Sequence, residues 1–170
     1  LVGHSLGGTV ALAAASTGHP SVRAVGTFES PAPWLDPPAA ARVGGGALVV
    51  ARRDGPEAAA EHFFRLMVGD AAWERLGPQF RADRRAEGSA LVAELQDLAS
   101  GRAVVDLSTV TVPVQVGLGA ARGDLRRQGV LLADRLPDAG VVELADAPHG
   151  VHLVAPDAFA AFVGMVGAWL

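Results

Sequence analysis

Apolar residues along this chain fall into short β-branched runs that alternate with longer stretches at helical spacing. Leu1 to Gly3 reads as the end of a first strand. Leu6 to Gly18 (LGGTVALAAASTG) comes next as an alanine-rich helix whose Val10, Leu12 and alanines are expected against a sheet. His19-Pro20 ends it, because proline disfavours a helical residue before it. Val22 to Phe28 (VRAVGTF) predicts a buried strand, and strand, helix, strand in that order requires a parallel pair joined by a right-handed crossover. Four prolines between Pro31 and Pro38 predict a rigid extended loop, and Gly44 to Gly46 a flexible break. Ala47 to Ala51 fits a strand or a helix start equally well. Pro56 to Val68 predicts a helix with proline in its first turn. Asp70 to Leu76 reads as a short helix capped by Asp70, and Pro78 to Glu87 and Ser89 to Leu98 as two more. Strand and helix then alternate again. Val112–Val116 and Val141–Leu144 are the strands, and Leu125–Leu136 and Ala155–Trp169 the helices. In the last helix Phe159, Phe162, Val163 and Val166 form an apolar stripe, read as core and not as a membrane anchor.

This rhythm defines an α/β chain: a parallel sheet flanked by helices, interrupted by an all-helical block. Residues 1–38 and 101–170 carry the strands, and residues 39–100 form a helical insertion expected to act as a cap. The helical block from about Gly55 to Ser100 shows no internal repeat.

Composition narrows the picture. At 170 residues, half of them hydrophobic, the chain is long enough for a sizeable core and is not a disordered segment. A net charge of -4 argues against a general nucleic-acid binder. No apolar run approaches the roughly 18 residues that a membrane span needs. The expectation is therefore no nucleic-acid partner, no membrane partner and a cytoplasmic location; oligomeric state is left open. The absence of cysteine excludes disulfides, thiolate metal sites and a cysteine nucleophile.

The candidate chemistry begins at Gly3-His4-Ser5-Leu6-Gly7-Gly8, a G-x-S-x-G pattern. A serine at the tip of a tight strand-to-helix turn leaves no room for side chains beside it. Gly3 and Gly7 are read as removing them, and Gly8 as letting the helix pack closely on the sheet. With 21 glycines the pattern alone would arise by chance in roughly one such chain in ten, so its context decides its meaning. That context is a strand before it and a helix and strand after it. His149 lies between Pro148 and Gly150 directly after the last strand, where it can serve as general base to Ser5. His152, three residues on, is the competing histidine. A metal site built on His149 and His152 lacks a third ligand at recognisable spacing.

Taken together, GHSLGG, a block of helices, VPVQVGLG and APHGVHLVAPDAFAAFV resemble the C-terminal two-thirds of an α/β-hydrolase, over the whole of this chain. The resemblance implies a Ser-His-acid triad in the family's chain order, no cofactor, no metal and a small-molecule substrate. Ser5 would be the nucleophile and the backbone N–H of Leu6 one oxyanion donor. Most members of the family carry the acid after the strand equivalent to Val112–Val116, as G-x-x-D. Here Gly119 plus three is Arg122, and the nearest acid is Asp124. A second family location lies just past the strand that comes after the serine turn, where this chain has Glu29. Glu29 and Asp124 both stand as candidates; Asp146 is too near His149 to be favoured. His4, Trp34, Phe63, Phe64, Met67 and Trp73 are the expected pocket residues. The leading expectation is hydrolysis of an ester or related acyl group on a small apolar substrate. The alternatives are a non-catalytic ligand-binding or regulatory member, or C–C hydrolase, lyase or cofactor-free peroxidase chemistry on the same fold. Serine in place of aspartate at position 5 disfavours dehalogenase and epoxide hydrolase chemistry. A serine turn at the very start also leads to the expectation that this stretch is the C-terminal part of a longer chain, inactive by itself.

Overall fold

In the computed structural model, residues 1–120, 123–144 and 146–168 are described, apart from the side chain of Val154. Four parallel strands form one sheet in chain order: β1 (Val2–His4), β2 (Val25–Phe28), β3 (Val114–Leu118) and β4 (Ala139–Glu143). Val2 aligns with Gly26, Thr27 with Val116, and Val116 with Val141. Every residue of β2 and β3 is buried, as expected of inner strands covered on both faces.

The covering layers arise from the two-residue alternation of the strands. Val25, Val114, Val116 and Leu118 point to one face. There they meet Ala11, Leu12 and Ala15 of α1 (Leu6–Ser16) and a helix that precedes β4, numbered below. Phe28 points to the other face, where Phe162 and Val166 of the C-terminal helix cover it. Val10 and Val163 depart from the expected pattern: both are exposed, at 61% and 39%, on the outer sides of their helices.

The chain divides into two compact units, Leu1–Asp36 with Ala103–Leu170, and Pro37–Arg102. The second is all helix: α2 (Pro37–Ala40), α3 (Ala47–Asp54), α4 (Pro56–Val68), α5 (Asp70–Arg75), α6 (Pro78–Ala86) and α7 (Gly88–Ala99). Ala47, Ala59 and Leu95 form its small core. Trp73 is fully buried within it, its ring stacked on Phe64 at 6.1 Å, with the guanidinium groups of Arg65 and Arg85 each 5.8 Å from the ring centroid. Arg65 in turn bonds Glu61, Asp70 and Glu74, so the aromatic pair sits beneath an ion-pair network.

The sheet unit is completed by α8 (Asp124–Arg135), α9 (Val151–Val154) and α10 (Pro156–Gly167). Leu132 and Leu136, at the end of α8 and just beyond it, join the first core layer. Several boundaries correct the sequence reading. The Pro31–Pro38 stretch is not one extended loop, because Pro33 opens a 3-10 turn (Pro33–Leu35) and Pro37 opens α2, both using proline's fixed φ at a helix start. Gly44 to Gly46 form a tight turn in which all three glycines have positive φ. Ala47 to Ala51 belong to helix α3. Asp70 is the first residue of α5, and the capping position falls to Gly69. β3 begins two residues later than the pattern predicts, and the expected end of the last helix at Trp169 lies outside the described residues.

Candidate active site

Ser5 occupies the single position between the end of β1 and the start of α1. Its backbone is strained, with φ 52° and ψ -132°, a conformation that side-chain-bearing residues avoid at a cost of about 1–3 kcal/mol. Neighbouring hydrogen bonds hold it there. The Ser5 N–H still donates to the Phe28 carbonyl (2.9 Å) as though the strand continued, while the Ser5 carbonyl already accepts from Gly8 N–H (2.9 Å). Serine is a favoured N-cap residue whose hydroxyl usually accepts from the first helical turn. Here it makes no capping bond, so the helix does not consume it.

Two of the three glycines are required as expected. A Cβ on Gly3 would lie 2.2 Å from the Gly7 carbonyl, and one on Gly8 would lie 1.8 Å from Ser30 Oγ. Gly7 is different. A Cβ there meets nothing within 4 Å among the described residues, so the steric role expected of it is not seen.

Across the sheet end, Glu29 directly succeeds β2. It is 1% exposed, its backbone also has positive φ (45°), and its N–H donates to the Gly117 carbonyl (3.1 Å). Its Oε2 lies 2.8 Å from His149 Nδ1. A carboxylate only accepts, so this bond places a proton on Nδ1 and leaves Nε2 as the ring nitrogen not engaged by Glu29. Space for the carboxyl group comes from Gly119, where a Cβ would stand 2.5 Å from Glu29 Oε1 and 2.6 Å from the Ala147 carbonyl. Burying a carboxyl group is costly unless it is hydrogen-bonded; His149 serves Oε2, whereas the buried Oε1 has no hydrogen-bond partner among the described residues.

His149 sits in the turn between β4 and α9, with its side chain 18% exposed. Its own carbonyl accepts from His4 Nε2 at 2.6 Å. The His4 ring lies 4.7 Å from the His149 ring and 4.6 Å from that of His152. Burial pulls the His4 pKa down to about 4, with the charges of His149 and His152 adding to the effect against the raising influence of the His149 carbonyl and Glu29. His152 itself is exposed at the start of α9.

The other acid candidate is engaged elsewhere. Asp124 lies in the first turn of α8, 2.8 Å from the Arg127 guanidinium, which also binds Asp36. Arg122, three residues after Gly119, lies outside the described residues. Leu6 is the first residue of α1, where a backbone N–H has no acceptor within the helix. Of the expected pocket residues, His4 stands in the histidine cluster. Trp34 lines an open cleft of about 530 Å³ with Leu35, Val104, Val105, Leu107 and Arg135, to which Ser5, Glu29 and His149 do not contribute. Phe63, Phe64 and Met67 are half-buried on α4, and Trp73 is buried on α5, all within the helical unit. The sequence gives no sign of the space that Gly119 provides or of the bond from His4. Both depend on contacts between residues far apart in the chain, for which no local pattern exists. Among the described residues no group of three potential ligands could hold a metal ion, and no helix is long and apolar enough to cross a membrane.

A strained serine between strand and helix and a carboxylate-bonded histidine on one parallel sheet define the general class. The family model described as the alpha/beta hydrolase family matches residues 1–162, and the chain belongs to that family. Among solved structures it is similar to the enol-lactonase from Burkholderia xenovorans LB400, with 24% identity and TM-score 0.67 over 98% of this chain and 64% of that one. It is likewise similar to the bromoperoxidase from Bacillus anthracis, with 19% identity and TM-score 0.67 over 98% and 66% of the two chains. MenH from S. aureus gives 18% identity and TM-score 0.65 over 99% and 68%. At these identities the likeness establishes the fold. The chain thus spans about two-thirds of the length of these proteins. No curated protein sequence matches it.

Proposed function

We propose that the protein is a serine hydrolase that cleaves an ester or related acyl bond of a small molecule. The observation that carries this reading is the bond from His149 to the buried Glu29, at the sheet end that also bears the strained Ser5. In the reaction, His149 Nε2 takes the proton from Ser5 Oγ as the oxygen attacks the acyl carbon. The carbonyl π electrons move onto the oxygen, and the Leu6 N–H stabilises the resulting oxyanion. The His149 imidazolium then protonates the leaving alkoxide, leaving an acyl-serine. Water, deprotonated by the same nitrogen, attacks that ester, and the imidazolium returns the proton to Ser5 Oγ as the acyl–Oγ bond breaks, releasing the acid and free Ser5. Glu29 remains ionised throughout; it fixes the tautomer and orientation of His149 and offsets the imidazolium charge.

The test is labelling of the intact protein with a fluorophosphonate probe, then peptide mapping. A modified Ser5 and complete loss of labelling in Ser5→Ala are expected. Labelling that persists in that variant, or maps to another residue, would overturn the assignment.

A further inference from the structure

His4 lies next to both halves of the proposed machinery and takes part in neither proton transfer. It is the last residue of β1, one position before Ser5, yet its side chain reaches the main chain of residue 149. Because the His149 carbonyl can only accept, His4 must carry its proton on Nε2 and leave Nδ1 bare. The ring is confined by Phe28, with centroids 6.2 Å apart and nearly stacked, and by Phe159, which meets it edge-on at 6.5 Å. The titratable groups facing it are the His149 ring in the turn, the His152 ring on α9 and the Glu29 carboxylate after β2.

His149 is therefore held at two points: its ring by Glu29 and its backbone by His4. Resting on the hydrolase reading above, we infer that His4 is a positioning residue whose Nε2–H fixes the main chain of His149 to the strand that ends just before Ser5. Without this bond the Glu29 contact alone sets the ring, and the turn carrying it is free to shift relative to the serine. A displacement of about 1 Å at such a distance-critical pair can cost on the order of 100-fold in rate. Neutrality of His4 serves the same purpose. A charged ring there would keep its hydrogen bond but stand as a second cation beside the imidazolium that His149 becomes in the transition state.

The test compares His4→Phe, which keeps the ring plane and loses the donor, with His4→Gln, whose side-chain amide can donate to the same carbonyl. In the intact protein His4→Phe is expected to lower kcat about 10- to 100-fold with KM nearly unchanged, and His4→Gln to restore most of it. Equal kcat in His4→Phe and wild type, or equal loss in both variants, would overturn the inference. A second measurement does not depend on turnover. Long-range proton–nitrogen NMR of the wild type should show His4 as the Nε2–H tautomer. An Nδ1–H tautomer at His4 would refute it even should the phenylalanine variant fold poorly. The hydrolase reading fails separately, through unchanged labelling in Ser5→Ala.

Discussion

At the scale of single residues, the site rests on two side-chain-bearing positions with positive φ, Ser5 and Glu29, one at each of two neighbouring strand ends. Both are visible in the sequence as types in a pattern. A serine between glycines is a local signal, and an acid just past the next strand is a family location, but neither says which acid meets the histidine. That depends on residues 29 and 149 being brought within 2.8 Å, while Asp124 has Arg127 as its neighbour. The distinction can be tested by charge removal. Glu29→Gln keeps the shape but presents an amide to His149, which permits the wrong ring tautomer; kcat is expected to fall by about 10²- to 10⁴-fold. Asp124→Asn is expected to leave kcat within about twofold, since it alters an ion pair on an exposed part of α8. Steady-state kinetics of the two variants side by side would separate the roles, and the reverse ranking would make Asp124 the acid.

At the scale of elements, hydrophobic periodicity locates the four strands and most of the helices but misses α2 and α9 and leaves α3 undecided, and the misplacements have identifiable causes. Pro33 and Pro37 look like chain breakers by residue type, although each starts a helical turn; proline takes that role only when the residues after it can continue the turn. Val10 and Val163 fit the apolar stripes by spacing, but the helices are rolled so that the faces of Leu12 and Phe162 meet the sheet instead. The serine turn shows the limit of motif reading most directly. Three glycines look alike in the sequence, but neighbouring atoms crowd only two of them, main chain at Gly3 and the Ser30 side chain at Gly8. Gly3→Ala would drive a Cβ into rigid main chain at 2.2 Å, and loss of the folded state or a large drop in melting temperature is expected. Gly7→Ala places a methyl group in open space within a helix, where alanine is the better residue by about 0.5–1 kcal/mol. Its melting temperature is expected to match or exceed that of the wild type. Thermal denaturation by circular dichroism would check both, and equal destabilisation would show that the turn is crowded on all sides.

For the whole molecule, the consequence of the histidine cluster is a dependence of stability on pH. His4 is held neutral in the folded chain, with its pKa lowered from the ordinary 6.5 to about 4, chiefly by burial. The unfolded chain therefore binds more protons than the folded one between these two values, and stability rises with pH across that window. The stability from this group is complete above about pH 6.5, is lost progressively as the pH falls toward 4, and changes no further below that. Carboxylates held low in the folded chain act at the acid end. In Glu61, bonds from Arg85 and Arg65 outweigh the opposing effect of burial, and Asp106 is held down by its bonds from Ser108. Their contributions are lost as the pH falls below their ordinary values of 4.5 and 3.8, so they overlap the acid end of the His4 range and leave its upper part to His4. Amide hydrogen exchange of β2 and β3 reports on the sheet unit itself, where His4 resides. Protection of those amides is expected to weaken between pH 6.5 and 4 in the wild type, after correction for intrinsic exchange rates. The slope is expected to flatten in His4→Gln, which keeps a donor but cannot titrate. An unchanged slope in that variant would assign the acid sensitivity of the sheet to other groups and remove His4 as its source.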